Sequence, residues 1–600
     1  MKNTFLLMCI LMLTVIAIGS AQVFTGPPDW LLGMRGDTAV IKDYFDMTPN
    51  APNTLYNAIA ADTMNVPAGR VYMLRSNGYY PLTNNIVTPT WRPIVIVGED
   101  NKRLVNNKNI NSAPPVICGY PVGEWPYVSN TGGISWKNDL TIKNCSIVSG
   151  ASDGTEGWAF FGDAASGKRV VLENDLYEHT RWVIVESNND AGTSLFMNDC
   201  YFVNLSGQPC RRSGGVYDGV NYPLDTIWVE NTTHIMAPGS MYKFRNFDFK
   251  KAFFNHNTFI NCAGSTFESL GYMSNLVVTN NIFVNSNVQP FDTTLGTADY
   301  GETDADNLPT GLINCRPLPA SMPQHDRKIL VDNNVVYWDP KLLKLDSIEN
   351  NRHTNGSVAW QSQEITMNTR TQAMFDDNTT YPYLTEGKWY KELPAFINPQ
   401  NLMTTVVDSI RAFAVGTVDL NSINNLSDWR LVNTDETKYY VYSDWPIPVD
   451  LSYSNTDLLT GGTGGFPVGD LNWFPTKKAY WVTQKDGEYA AIECALQGGC
   501  GDGVTPKNVN TMPVEFALNQ NYPNPFNPST TITFSLPHSA NASLKVFDML
   551  GREVATLVNG YTTSGTHEVQ FNATNLASGV YFYKLTSGDF TQMMKMMLVK

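Results

Sequence analysis

Charge is scarce in this 600-residue chain. Asp, Glu, Lys and Arg make up 16% of it, and 56 acidic residues outnumber 41 basic ones for a formal net charge of −15. That balance argues against nucleic acid as a partner, while an anionic glycan met by a local basic patch stays open. Motifs for metal and phosphate are missing too. There is no CxxC pair and no Cys/His metal spacing. The glycine-rich stretch GGTGGFPVGDLNWFP (461–475) is not followed by GK[ST], so it is no phosphate loop. Glu302, Asp304 and Asp306 alternate in a polar insertion at 285–328, but the glycine and distal glutamate of an EF-hand are lacking, and a solvated loop is expected.

Only one long apolar run exists, Phe5 to Ile18, preceded by Lys2 and followed by Gly19-Ser20-Ala21. It is too short for a membrane span and reads as a signal peptide, residues 1–21, cleaved before Gln22. The mature chain is therefore expected to have no transmembrane segment. The 9 cysteines include Cys9 in that signal. The other eight are too scattered to define a disulfide framework, although Cys494 and Cys500 flank a tight loop and are the best bridge candidates. Cys145, Cys200 and Cys262 sit in or beside strands and read as small buried apolar residues.

What the chain does have is aromatics (12%), Asn and Gly, which favours a β-rich extracellular protein. An internal repeat decides its shape. Between 140 and 340 an apolar strand repeatedly runs into a polar, Asn-rich turn and a second short strand: LTIKNCSI, VVLENDLY, SLFMNDCY, TIWVENTT, AFFNHNTF, LVVTNNIF and ILVDNNVV. Aligning Asn144, Asn174, Asn198, Asn231, His256 and Asn280 gives intervals of 30, 24, 33, 25 and 24 residues. One such unit per two dozen residues suits one coil of a parallel β-solenoid. Asn is favoured at the bend because it tolerates left-handed backbone angles and can bond its stacked neighbours. Upstream, Thr54 to Ala61 has helical spacing and would cap the open end, and Gly69–Leu74 and Pro93–Gly98 read as first strands.

This arrangement resembles the right-handed parallel β-helix of the pectin-lyase-like superfamily over about 50–345. The resemblance implies a substrate groove on the strand that follows the asparagine turn and its short strand. The equivalent segments are GWAFFGD (157–163), RWVIVES (181–187), PCRRSGG (209–215), SMYKFRN (240–246) and STFESLG (265–271). If Tyr242 and Phe244 point inward, Lys243 and Arg245 point outward, and Glu268 leaves the next strand on the same side. Arg211 or Arg212, Lys243, Arg245 and Glu268 would then share one stripe, with Glu186 one coil further.

Eliminative cleavage of a uronate chain has a use for such a stripe. A cation acidifies the C5 proton, a base removes it, and carboxylates hold Ca²⁺. Lys243 or Arg245 would be the base, Arg211 and Arg212 would hold substrate, and Glu186 and Glu268 would hold calcium. The family's signatures are absent, however. There is no RxPxxR, GHG or RIK, and the tripeptide NTD occurs only at 433–435 and 455–457, outside the repeat. His179, His234 and His256 lie on or near turns, where a structural role is expected.

From 346 to 493 the repeat fades. Thr404 to Ala414 looks helical, and Trp389, Trp429, Trp445, Trp473 and Trp481 occur among Pro, Gly and Asp, so this region is expected to cover the end or side of the solenoid. Residues 494–514 read as linker. Then comes NYPNPFNPSTT (521–531), whose prolines 523, 525 and 528 keep it extended, followed by alternating strands that make a compact β-sandwich. The order NYPNPFNPSTTI, SLKVFDMLGREVATL, GVYFYKL and a basic last strand resembles the type A C-terminal sorting domain of the type IX secretion system over 515–600. That resemblance implies handling by the type IX machinery and an address at the outer surface of a Gram-negative bacterium, or beyond it.

The expected fold is thus all-β: a β-helix at 22–345, an irregular segment and a small β-sandwich. The expected function is binding of extracellular polysaccharide or adhesion, with Trp158, Trp182 and Trp228 stacking on sugar faces. The alternative is a polysaccharide lyase.

Overall fold

The computed structural model describes residues 29–600, except 63–65, 68, 100–112, 120–132, 152–158, 181, 206–213, 246, 270–271, 289–290, 293–307, 309–310, 348–359, 362–363, 416–446, 500–515, 537–539, 563–564 and 589. The expected signal segment, Trp158, Arg211, Arg212, Cys210, Cys500, the acidic 302–306 run and the first NTD therefore lie outside the described residues.

Three sheets of 12, 10 and 7 strands run the length of the repeat, and successive neighbours in each come from successive coils. One coil supplies Thr226–Glu230, Thr233–Ala237 and Tyr242–Arg245, one strand to each sheet. The next coil lays Lys251–Asn255, Thr258–Cys262 and Phe267–Ser269 parallel to these. This is a parallel β-helix. Only the first hairpin of the 12-stranded sheet, Leu31–Arg35 with Thr38–Ile41, is antiparallel. The first two sheets continue to Leu384–Glu386 and Trp389–Tyr390, so the expected boundary at 345 falls inside the solenoid.

The bends explain the repeat. Between the first and second sheets the chain turns at Asn144, Asn174, Asp199, Asn231, His256, Asn280 and Asn333, all with φ between 49 and 60°. In the third of these coils Asp199, not Asn198, occupies the bend, since Asp shares the short polar side chain that tolerates this conformation. The residue after the bend points inward and forms a second ladder. Asn257 N donates to Asn281 Oδ1 at 2.9 Å, and Asn281 N to Asn334 Oδ1 at 2.9 Å. A further row of left-handed residues, His179, Asn204, Met236, Asn261 and Asn285, turns the second strand toward the third sheet.

Inward rows stack coil on coil. Tyr177, Phe202, His234, Phe259 and Phe283 lie nearly parallel with centroids 4.7, 5.2, 4.2 and 5.1 Å apart. Burial in this stack lowers the His234 pKa to about 3, so it is a neutral core ring, as the structural expectation had it. Cys118, Cys145, Cys200, Cys262 and Cys315 are free and buried, and Cys494 is disulfide-bonded.

Four helices are described: α1 (Thr54–Ala61), α2 (Thr369–Asp376), α3 (Thr405–Val415) and α4 (Pro475–Leu496). α1 buries Leu55, Ala58 and Ile59 against the first coils. α4 is an addition to the sequence-based expectation. Its Ile492 and Leu496 cover an outward stripe of the first sheet made of Val171, Phe196, Trp228, Phe253, Val277 and Leu330. The second sheet is covered likewise, by Val406, Val407, Ile410, Leu451, Tyr453 and Trp473. No described helix is long and apolar enough to cross a membrane. The C-terminal unit has antiparallel sheets of three and four strands, Ala517 to Leu598, around Ile532, Phe534, Leu544, Val546, Phe571 and Tyr583.

Candidate functional site on the third sheet

The described helices pack mainly on the first two sheets, which leaves the third as the place to look. Its inward row is Phe161, Val185, Tyr217, Tyr242 and Phe267, all in the core. The next residue of each strand faces the other way. The registers Gly162↔Glu186, Glu186↔Asp218, Asp218↔Lys243 and Lys243↔Glu268 place these five positions in one row across five coils.

Lys243 and Glu268 are therefore neighbours, as expected, but the row also contains Asp218. The strand at this coil is Gly215–Asp218, C-terminal to the expected PCRRSGG. The signal was present: GVYD aligns with VIVE, with Tyr217 matching Val185.

Asp218 organises the site. Its buried carboxylate accepts two hydrogen bonds from Arg245, Nε at 2.7 Å and Nη2 at 2.9 Å. Lys243 Nζ lies 3.7 Å away on the other side, with both side chains fully buried. Lys243 also stands 4.9 Å from the Trp182 ring centroid, a cation–π contact. Arg245 adopts a left-handed φ of 51° where the register shifts, and its guanidinium turns back to Asp218 instead of extending the stripe. Ser240 Oγ donates to Glu268 Oε2.

Glu186 is different. Burial, reinforced by Asp218 and Asp163, raises its pKa to about 7. The next coil offers it Gly162, where a Cβ would sit 3.7 Å from its Oε1, and then Ser135. This end of the row is only half-buried. Beside it, Asp163 accepts the backbone N–H groups of Asn188, Asn189 and Asp190 at 2.9 Å each. That clasp holds a loop edge on which Asn221 Nδ2 donates to Asn188 Oδ1 at 2.5 Å and Tyr222 is 39% exposed.

Several expected roles do not survive this geometry. Glu186 and Glu268 are three strands apart, roughly 14 Å at the usual strand spacing, too far to ligate one calcium ion. Among the described residues no group of three His, Cys, Asp or Glu side chains is placed to hold a metal. Trp228 is buried beneath α4, stacked on Phe253 at 3.7 Å and edge-on to Tyr489, so it presents no ring to a sugar. Trp182 is also buried.

A second charged cluster lies under α4. His256 Nε2 is 3.1 Å from Glu488 Oε1. Asn255 Nδ2 bridges Glu488 at 2.8 Å and Glu230 at 2.9 Å. Burial alone would lower the His256 pKa, but Glu488 and Glu230 outweigh it and raise it. These groups fasten the helix to the solenoid.

Residues 520–600 match the family described as the secretion system C-terminal sorting domain. No curated protein and no solved structure matches the chain. The sorting domain marks the protein as one secreted by the type IX system to the cell surface or extracellular space of Bacteroidetes.

Proposed function

We propose that this exported β-helix binds extracellular polysaccharide without cleaving it. The supporting observation is the state of the cations. β-Elimination needs a base that reaches the C5 proton and a cation that meets the substrate carboxylate. Here Lys243 is fully buried and Arg245 nearly so, and both already serve Asp218. Drawing Lys243 away from the Asp218 carboxylate to meet a substrate would give up a buried ion pair.

The accessible part of the face is better suited to holding sugar. Ser135, Gly162 and Glu186 leave a shallow polar strip, with the Asn188 and Asn221 amides and the Tyr222 ring at its edge. Planar amides reach paired hydroxyls, and an exposed ring takes the apolar face of a pyranose. A glycan array probed with the full chain tests this. Retention of a polysaccharide that Tyr222→Ala weakens supports the proposal, and no retention of any glycan sinks it.

A further inference from the structure

The first turns of the solenoid bury more guanidinium than carboxylate. Arg92 is 3% exposed and packed between two rings, its Cζ 5.4 Å from the Tyr72 centroid and 5.0 Å from that of Trp91. Its Nη2 donates to Tyr72 Oη and lies 3.5 Å from Asp62 Oδ2. Arg70 Nη1 lies 3.7 Å from the same oxygen, which also accepts the Tyr72 hydroxyl at 2.6 Å. Burial, with the bond to Asp62, raises the Tyr72 pKa, so the phenol stays neutral and adds no negative charge.

Among the described residues one carboxylate therefore faces two arginines, leaving one positive charge in excess. The donors are in excess as well. Nε and Nη1 of Arg92 and Nε of Arg70 are buried with no acceptor among the described residues. Asp37, in the neighbouring hairpin, is exposed. Unmet N–H groups on buried guanidiniums are costly, and an oxyanion meets both the charge and the donor deficit. At the rim of the cluster the Arg70 side chain is 13% exposed and Trp91 36%.

We propose that Arg70 and Arg92, steadied by Tyr72 and Asp62, form a site for a carboxylate or sulfate group of the kind borne by uronic or sulfated sugars. It uses none of the third-sheet residues and stands or falls apart from the reading given to them. The test is calorimetric titration of the full chain with inorganic sulfate and, separately, with galacturonate, using glucose as a neutral control. Saturable binding of sulfate or galacturonate is expected, and whichever binds names the group. Arg70→Gln should weaken it about tenfold or more, and Asp62→Asn, which removes the competing carboxylate, should tighten it about tenfold. Should Asp62→Asn fail to fold, Arg70→Lys replaces it and is expected to weaken binding by loss of the fork geometry. No saturable binding by the wild type, or equal affinity in all variants, overturns the site.

Discussion

Asp218→Asn removes the charge paired with two buried cations, and its cost follows from where they lie. Lys243 has no exposed surface and Arg245 about a tenth, at 3.7 Å and 2.7 Å from the carboxylate. An exposed pair contributes about 0–1 kcal/mol, whereas removing one partner of a buried pair costs about 3–5 kcal/mol, because a buried charge loses its counter-ion without regaining water. The larger figure applies here. Lys243→Met should cost less, since Asp218 keeps both bonds to Arg245. The double variant Asp218→Asn/Lys243→Met should lose about 1–3 kcal/mol less than the two singles together. Urea unfolding followed by tryptophan fluorescence measures all three, and Trp182, beneath Lys243, reports locally. If Asp218→Asn stays within about 0.5 kcal/mol of the wild type, the range of an ordinary surface change, the cations are solvated and the reasoning fails.

Glu186 gives a pH signature. Its pKa is raised from the ordinary 4.5 to about 7 by burial and by Asp218 and Asp163, so the stability held by its neutral form is complete below about pH 4.5 and lost as pH rises through 7. Wild type should therefore lose about 3 kcal/mol relative to Glu186→Gln across that window, read from urea midpoints at a series of pH values. Trp228→Ala should cost about 3–5 kcal/mol and speed hydrogen exchange in α4 while leaving glycan retention unchanged; weakened retention without faster exchange would return Trp228 to the binding face. Asn281→Ala leaves the Asn257 backbone N–H without its acceptor and should destabilise by about 1–3 kcal/mol, seen as a lower urea midpoint.

The coils were legible because their bends need a rare backbone conformation that few residues tolerate. Asn144, Asn174, Asn231, His256 and Asn280 all sit at left-handed bends, and only Asn198 was misplaced by one, beside an Asp that suits the bend equally. The third sheet was harder. Its strands are two to five residues long and follow loops of unequal length, so alignment by count slipped past Asp218, and only the match of inward Tyr217 to Val185 recovers it.

The cover was hidden for another reason. Strands such as TIWVE and AFFN are apolar on both faces, a pattern that demands a second layer outside. The helix that supplies this layer buries Lys478, Trp481, Glu488, Ile492 and Leu496, and two of those five are charged, so its apolar period does not stand out. Glu488 is tolerated because His256 and Asn255 meet it across the interface and Trp481, on its own helix, donates to it, a match invisible in either segment alone.

The central claim is that the charged row holds the fold together and does not cut a glycan. Incubating the protein with alginate, pectate and chondroitin while following ultraviolet absorbance tests it most directly. The account predicts no unsaturated product from any of the three. A rise in absorbance that Lys243→Ala abolishes, in a variant that remains folded, would contradict it.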